Sequence, residues 1–172
     1  MEKLRPDIYQ KNLTDIHFNQ LKKAGIKILL FDVDNTILRY KEKEIDKNII
    51  DLIKAIKTQF TVVLFSNGNK RKVGKVAEIL EVPYISNSLK PLSRNFKKVF
   101  IKYKVTPNEV AIIGDQILTD IKGGNNVGIT TILIEPLSEK ESPFTKINRS
   151  RENSLMRRMG AKGLFIKERY YE

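Results

Sequence analysis

The sequence predicts a three-layer α/β/α domain on a central parallel sheet, and three observations carry that prediction. Short β-branched runs recur: IKILLF (26–31), TVVLFS (61–66), VPYIS (82–86), VAIIG (110–114) and ITTILI (129–134). They lack a clean apolar–polar alternation, as suits strands buried on both faces. Stretches with helical spacing lie between them, and strands alternating with helices imply right-handed βαβ crossovers. Several runs also end on acidic, hydroxyl or glycine residues, at the edge where open α/β sheets bind ligands.

Taken in order, residues 14–24 (TDIHFNQLKKA) read as a helix capped by Thr14 or Asp15, within a helical lead-in over about 1–25. After the first run, Ile45, Ile49, Ile53 and Ile56 mark one face of a helix. Val73, Val76, Ala77 and Leu80 mark a second helix after the second run, and Phe96, Val99, Phe100 and Tyr103 mark a third. Gly123, Gly124 and Asn125 suggest a helix end before the fifth run. Past Pro136 the text LSEKESPFTKINRSRENSLMRRMG gives a polar loop, then a basic C-terminal segment (about 137–172) with a sparse apolar face. No repeat, low-complexity tract or linker divides the chain, so residues 1–172 are expected to form a single domain.

Composition narrows the class. At 41% hydrophobic and 30% charged residues, the chain can bury an ordinary core and does not read as disordered. The absence of cysteine excludes disulfides and thiolate metal sites. The opening MEKLRPDIYQKN lacks the apolar core of a signal peptide, and no apolar run nears the roughly 18 residues of a membrane span. A cytoplasmic protein is expected, with peripheral contact to a membrane surface left open. The net charge of +12 favours anionic partners such as nucleic acid, anionic lipid or phosphorylated substrates, although a solvated basic surface explains it equally well. Ten basic residues against two glutamates between Lys70 and Lys104 hold most of this excess. Part of that patch begins directly after Ser66, beside the chemistry described next.

The residues after the runs form an ordered set. The first run is followed by Asp32, Asp34 and Thr36, and the second leads to Ser66, Asn67 and Gly68. The third leads to Lys90 and Pro91, and the fourth ends in Gly114 and Asp115 with Asp120 beyond. Alternation along an extended chain places Asp32 and Asp34 on one side with Val33 turned away. Crowded carboxylates need a cation, and hard oxygen ligands select Mg²⁺. Asp115 could complete that cluster. One carboxylate could attack phosphorus to form an acyl phosphate, while the other carries the proton to the leaving oxygen and then from water. Ser66 and the backbone after it could donate to phosphoryl oxygens, and Lys90 could balance their charge.

DVDNT (32–36), SN (66–67), KP (90–91) and GDQILTD (114–120) resemble the four motifs of the haloacid dehalogenase (HAD) superfamily of phosphatases. The chain is most similar to the YqeG family of subfamily IIIA, which includes the mitochondrial phosphatidylglycerophosphate phosphatases. The likeness covers most of the chain and extends, more loosely, into TKINRSRENSL. It implies a Rossmann-like HAD fold with strand order 5-4-1-2-3. Residue by residue, it implies Asp32 as nucleophile and metal ligand, and Asp34 as general acid/base with its backbone carbonyl on Mg²⁺. It also implies Thr36 as the helper of the first motif, Ser66 with Asn67 and Lys90 as phosphate-binding, and Asp115 as the third metal ligand. Asp120 takes the later acidic position, read here as supporting the ligands from behind. The intervals from Thr36 to Ser66 and from Ser66 to Lys90 are too short for a cap domain, so the site is expected to be open and its substrate large or surface-bound.

Competing patterns fail on spacing. An EF-hand counted from Asp32 would need glycine and glutamate where Ile37 and Lys43 stand. GNKRKVGK (68–75) is one residue too long for a P-loop, and Val76 replaces its hydroxyl residue. A receiver domain places its lone aspartate after the third strand, where Lys90 follows here. His17 lies far in sequence from the motifs and reads as a surface or packing residue. The expected function is Mg²⁺-dependent phosphomonoester hydrolysis, with phosphatidylglycerophosphate the leading substrate. Sugar, nucleotide or protein phosphates remain alternatives, as does an RNA- or ribosome-binding protein on the same fold. The sequence does not indicate an oligomeric state.

Overall fold

The computed structural model describes residues 2–139 and 143–172. Its sheet has six parallel strands: β1 (Ile8–Gln10), β2 (Ile28–Phe31), β3 (Thr61–Phe65), β4 (Tyr84–Ile85), β5 (Val110–Gly114) and β6 (Thr130–Ile134), in the order β1-β6-β5-β2-β3-β4. The five expected strands stand in their expected order, with β2 at the centre. An additional strand, β1, extends the edge beside β6.

Among the described residues, six α-helices accompany the sheet: α1 (Phe18–Lys23), α2 (Lys47–Ile56), α3 (Lys70–Leu80), α4 (Arg94–Tyr103), α5 (Lys122–Val127) and α6 (Pro143–Ala161). Successive strand residues point to opposite faces, so β2 supplies both halves of the core. Leu29 and Phe31 pack with Leu21 of α1, Ile49 and Ile53 of α2, and Val73 and Val76 of α3. Ile28 and Leu30 pack on the other side with Phe96 and Val99 of α4. The helical faces read from the sequence are therefore the buried ones, except that Phe100 and Tyr103 are only partly covered.

Local boundaries follow capping chemistry. Asp46 accepts from Asn48 N at 2.8 Å and starts α2, and Asn69 accepts from Lys72 N at 3.0 Å and starts α3. The first helix begins at Phe18 rather than Thr14, because residues Leu13–Asp15 form a separate 3₁₀ turn. There the Asp15 carboxylate accepts from Asn12 N at 3.0 Å. Helix α5 contains Gly123 and Gly124 and ends at Gly128, whose φ of 75° suits a left-handed cap. Gly124 lets α5 lie close on the sheet, since a Cβ there would stand 2.5 Å from the Thr131 side chain.

The N-terminal lead-in is less helical than its sequence suggests, because β1 lies within it. Asp7 pins this strand: its carboxylate accepts from Thr131 N at 2.8 Å and from the Thr131 hydroxyl at 2.9 Å. The chain end covers the strand's outer edge, where Tyr9 and Tyr171 exchange backbone hydrogen bonds of 2.8 Å. The basic C-terminal segment is largely α6, anchored by buried Met159 and followed by buried Phe165 against Tyr9 and Leu133. Among the described residues, no helix is long and apolar enough to cross a membrane.

Candidate active site

The site lies at the carboxyl ends of β2, β3 and β5. Asp32 follows β2 directly, and its N–H donates to Ile113 O at 2.9 Å, which extends the ladder one residue past the strand. Val33 is fully buried, whereas Asp34 is partly exposed, as alternation requires. Asn35 takes the left-handed conformation (φ 57°) that turns the chain after the motif. Its side-chain oxygen accepts from Tyr40 N at 3.1 Å and the Ser138 hydroxyl at 2.9 Å, which ties that turn to the loop after β6. Thr36 is buried, with its hydroxyl 3.5 Å from Asp115 Oδ1.

Lys90 is the centre of the arrangement. It is 5% exposed, and its ammonium donates to Asp32 Oδ1 at 2.7 Å and to Phe65 O at 2.7 Å. It also stands 2.6 Å from Asp120 Oδ1. Burial alone would push its pKa down, but the charges of Asp120 and Asp32 outweigh burial and hold it above the ordinary lysine value. Asn67 sets this loop. Its side-chain oxygen accepts from Lys90 N at 2.8 Å and from the Ser88 hydroxyl at 2.8 Å, while its amide donates to Lys90 O at 3.0 Å. Asn67 thus positions the lysine. Ser66 is buried beside it, and its hydroxyl accepts from Gly68 N at 3.1 Å.

Asp32, Asp115 and Asp120 each bring a carboxylate oxygen to a cluster in which all three lie within 4.8 Å of one another. Asp120, expected behind the ligands, stands in the cluster itself. It is carried by a π-helical turn, Ile117–Ile121, and Gly114 makes its space: a Cβ there would lie 2.2 Å from Asp120 Oδ2. The Asp34 carboxylate lies outside the cluster and pairs instead with Lys72. Any contribution of Asp34 to a metal would come through its backbone carbonyl.

Burial pushes the Asp115 carboxyl well above the usual carboxylate range, against the opposing pull of Arg149. Burial likewise raises Asp120 to about 6, although Lys90 draws it down. Asp120 Oδ1 has no aligned hydrogen bond despite the close ammonium. Three buried carboxylates whose oxygens lie within 4.8 Å of one another fit a hard divalent cation.

Two contributors to the site were not apparent in the sequence. Arg149 of α6 pairs with the Asp115 carboxylate, donates to Asp115 O at 2.7 Å, and donates to Glu152 Oε2 at 3.1 Å. Glu152 is fully buried and accepts from Leu118 N at 2.7 Å. The C-terminal helix therefore borders the site, and its i,i+3 pair holds the Asp115 loop and the π-helical turn together. In the sequence these two residues resemble any exposed charge pair on a polar helix.

Among the described residues, only one helix and one strand each separate the first motif from Ser66 and Ser66 from Lys90, so no cap domain is inserted there. His17 lies away from the site and pairs with Glu172 at 2.7 Å.

Comparison with known proteins identifies the family. Residues 1–138 match the family described as mitochondrial PGP phosphatase. The chain is 30% identical over 159 residues to "Probable phosphatase YqeG" of Bacillus subtilis (strain 168), covering 92% of each. It is 29% identical to "Phosphatidylglycerophosphate phosphatase 1, chloroplastic/mitochondrial" of Arabidopsis thaliana over 92% of this chain, but spans only 49% of that longer relative. Its fold is similar to the cobalt-bound deoxy-D-mannose-octulosonate 8-phosphate phosphatase of Haemophilus influenzae (TM-score 0.54, 14% identity, 74% of this chain and 77% of that one). A HAD phosphatase from Thermococcus onnurineus also has a TM-score of 0.54, at 14% identity, over 69% of this chain and 90% of that one. The chain belongs to the mitochondrial PGP phosphatase family and is a phosphatase of the HAD type.

Proposed function

We propose that this protein is a single-domain, Mg²⁺-dependent phosphomonoesterase that works through an aspartyl phosphate on Asp32 and acts on phosphatidylglycerophosphate or a closely similar lipid phosphate. The carrying observation is the buried contact of Lys90 with Asp32 and Asp120, next to Asp115. Held by Asp32, Asp115 and Asp120, with the Asp34 carbonyl, Mg²⁺ would supply positive charge where phosphoryl oxygens meet the carboxylates.

The chain's own residues divide the reaction. An Asp32 carboxylate oxygen attacks phosphorus, the bond from phosphorus to the alcohol oxygen breaks, and Asp34 gives its proton to that oxygen. Asp34, now ionised, takes a proton from water. The resulting hydroxide attacks the same phosphorus, the Asp32–phosphorus bond breaks, and inorganic phosphate leaves. Ser66 and Lys90 bind the phosphoryl oxygens through both steps. The Asp34 carboxylate lies outside the Asp32–Asp115–Asp120 cluster, which separates the proton-carrying group from the metal-binding carboxylates.

The lipid substrate is supported by family membership, by the name of the Arabidopsis relative and by the open site. The protein would then work peripherally, at a membrane surface. The test is phosphate release from phosphatidylglycerophosphate in detergent micelles, set against sugar, nucleotide and phosphopeptide substrates. Wild type should prefer the lipid. Asp32→Asn should lose at least about 10³-fold in Mg²⁺-dependent turnover and form no phosphoryl adduct on rapid quench. Retained turnover in that variant would overturn the mechanism, and a preference for a soluble phosphate would overturn the substrate.

A further inference from the structure

We infer that the groove beside Lys90 is the face by which this protein docks on an anionic bilayer. The inference rests on the lipid-phosphate reading above and adds where the lipid surface sits.

The groove is open, with a volume of about 1500 Å³ including adjoining solvent, and Asn67 and Lys90 are among the residues that line it. Its walls are apolar, formed by Leu89 and Leu92 from the loop after β4, Leu118 from the π-helical turn, and Leu155 from α6. Lys122 and Arg151 add positive charge, and among the described residues no acidic side chain lines it. A leucine surface with cations and no carboxylates is complementary to an anionic headgroup layer over acyl chains. Single-stranded nucleic acid would call for aromatic stacking platforms, and among the described residues no aromatic side chain lines this groove.

Two features point to exposure kept for use. Leu89 is 52% exposed and Leu92 is 61% exposed, both within two residues of Lys90. Leu89 also holds φ at 59°, a region that bulky side chains rarely adopt. Such an outlier persists only where its surroundings impose it. Here they do: Lys90 N is held by Asn67, and Leu92 N donates to Leu89 O at 2.9 Å. The loop that fixes the lysine thereby fixes a leucine in the open beside it. Helix α6 continues the surface, with exposed Ile147, then Arg151 and Leu155, at successive four-residue steps along one face. With the leucines in the acyl boundary and the cations among headgroups, the lipid surface lies against the loop that carries Lys90.

The test is co-sedimentation with phosphatidylglycerol–phosphatidylcholine vesicles, comparing wild type with Leu89→Asn/Leu92→Ser and with Ile79→Ser/Ile101→Ser. Asparagine tolerates positive φ better than leucine, so the first variant should keep its fold, checked by its melting temperature and by hydrolysis of a soluble aryl phosphate. The second variant removes exposed isoleucines from α3 and α4, outside the groove. Wild type should bind anionic vesicles more tightly than pure phosphatidylcholine vesicles. The leucine variant should lose roughly tenfold or more in vesicle affinity, and the isoleucine variant should bind as wild type. Unchanged vesicle binding by the leucine variant, an equal loss in the isoleucine variant, or single-stranded RNA binding tighter than vesicle binding would overturn the inference. Leucine-dependent vesicle binding without lipid-phosphate turnover would sustain the docking face and overturn only the substrate. Turnover in detergent with vesicle binding insensitive to the leucines would do the reverse.

Discussion

The neighbouring strands β2 and β5 have ion pairs near both of their ends, and the two ends treat the acidic partner in opposite ways. Before the strands, Lys27 and Glu109 pair at the surface, and the lysine holds the Glu109 carboxyl down to about 2. After the strands, Asp115 and Asp120 lie buried near Lys90 and Arg149, yet burial pushes both carboxyls up. The residue types are alike. Water decides the direction: a solvated pair favours the ionised acid, whereas a dry cluster with more carboxylates than cations disfavours it. One end of the sheet is electrostatically relaxed, and the other is poised for a further cation.

Removing the central cation should widen this contrast most. Lys90→Met leaves Asp32 and Asp120 buried without their ammonium and should destabilise the metal-free protein by about 3–5 kcal/mol at neutral pH. Denaturant titration would measure the loss, which should shrink in acid as the carboxyls protonate.

Arg149→Ala should cost less, about 1–3 kcal/mol, because Asp115 keeps other neighbours while its carbonyl and carboxylate lose their donor. Arg149→Lys should recover only part, since a single ammonium does not reproduce the guanidinium's spread of donors. Limited proteolysis should cut near α6 faster in the alanine variant.

Proton and metal linkage comes next in size. The folded-state pKa of Asp120 is raised from 3.8 to about 6. The metal-free fold therefore holds a proton that the unfolded chain has released, and its contribution to stability declines as pH rises from about 4 to about 6. A bound Mg²⁺ would compete for the same oxygens. Calorimetry should show a rise in Tm with Mg²⁺ of several degrees at about pH 7.5 and a smaller rise at about pH 5. Equal shifts at both pH values would break the contrast between the two ends.

The smallest effect belongs to the relaxed end. Lys27→Met should leave stability near neutral pH within the error of a denaturation experiment, because the pair is solvated. Whatever it contributes is present above the unfolded value near 4.5 and is lost as pH falls toward about 2.

Much of the site was legible because its residues follow apolar runs. Asp32, Ser66 and Asp115 come directly after β2, β3 and β5, and parallel strands place such residues on one edge without further information. Lys90 was legible through its place in the ordered motifs. Strand β1 was not: three residues carry too little periodicity, and its partner Thr131 lies 124 positions from Asp7. Asp120 could be named but not placed, because its seat depends on a π-helical turn and on the space left by Gly114. Lys72 was visible as part of a charge patch, but its pairing with Asp34 depends on how α3 docks on the sheet.

The sequence by itself determined the alternation of strands and helices, the core faces of α2 and α3, and that Asp32 and Asp115 come to one edge of the sheet, because these follow from local periodicity and chain direction. Tertiary structure alone decided which charges are dry. Arg149 and Glu152 read as a surface pair until α6 packs them against Asp115 and Leu118. Whether an ion pair sits in water or out of it is set by neighbours far away in the chain, and it is this burial that raises the carboxyls of Asp115 and Asp120.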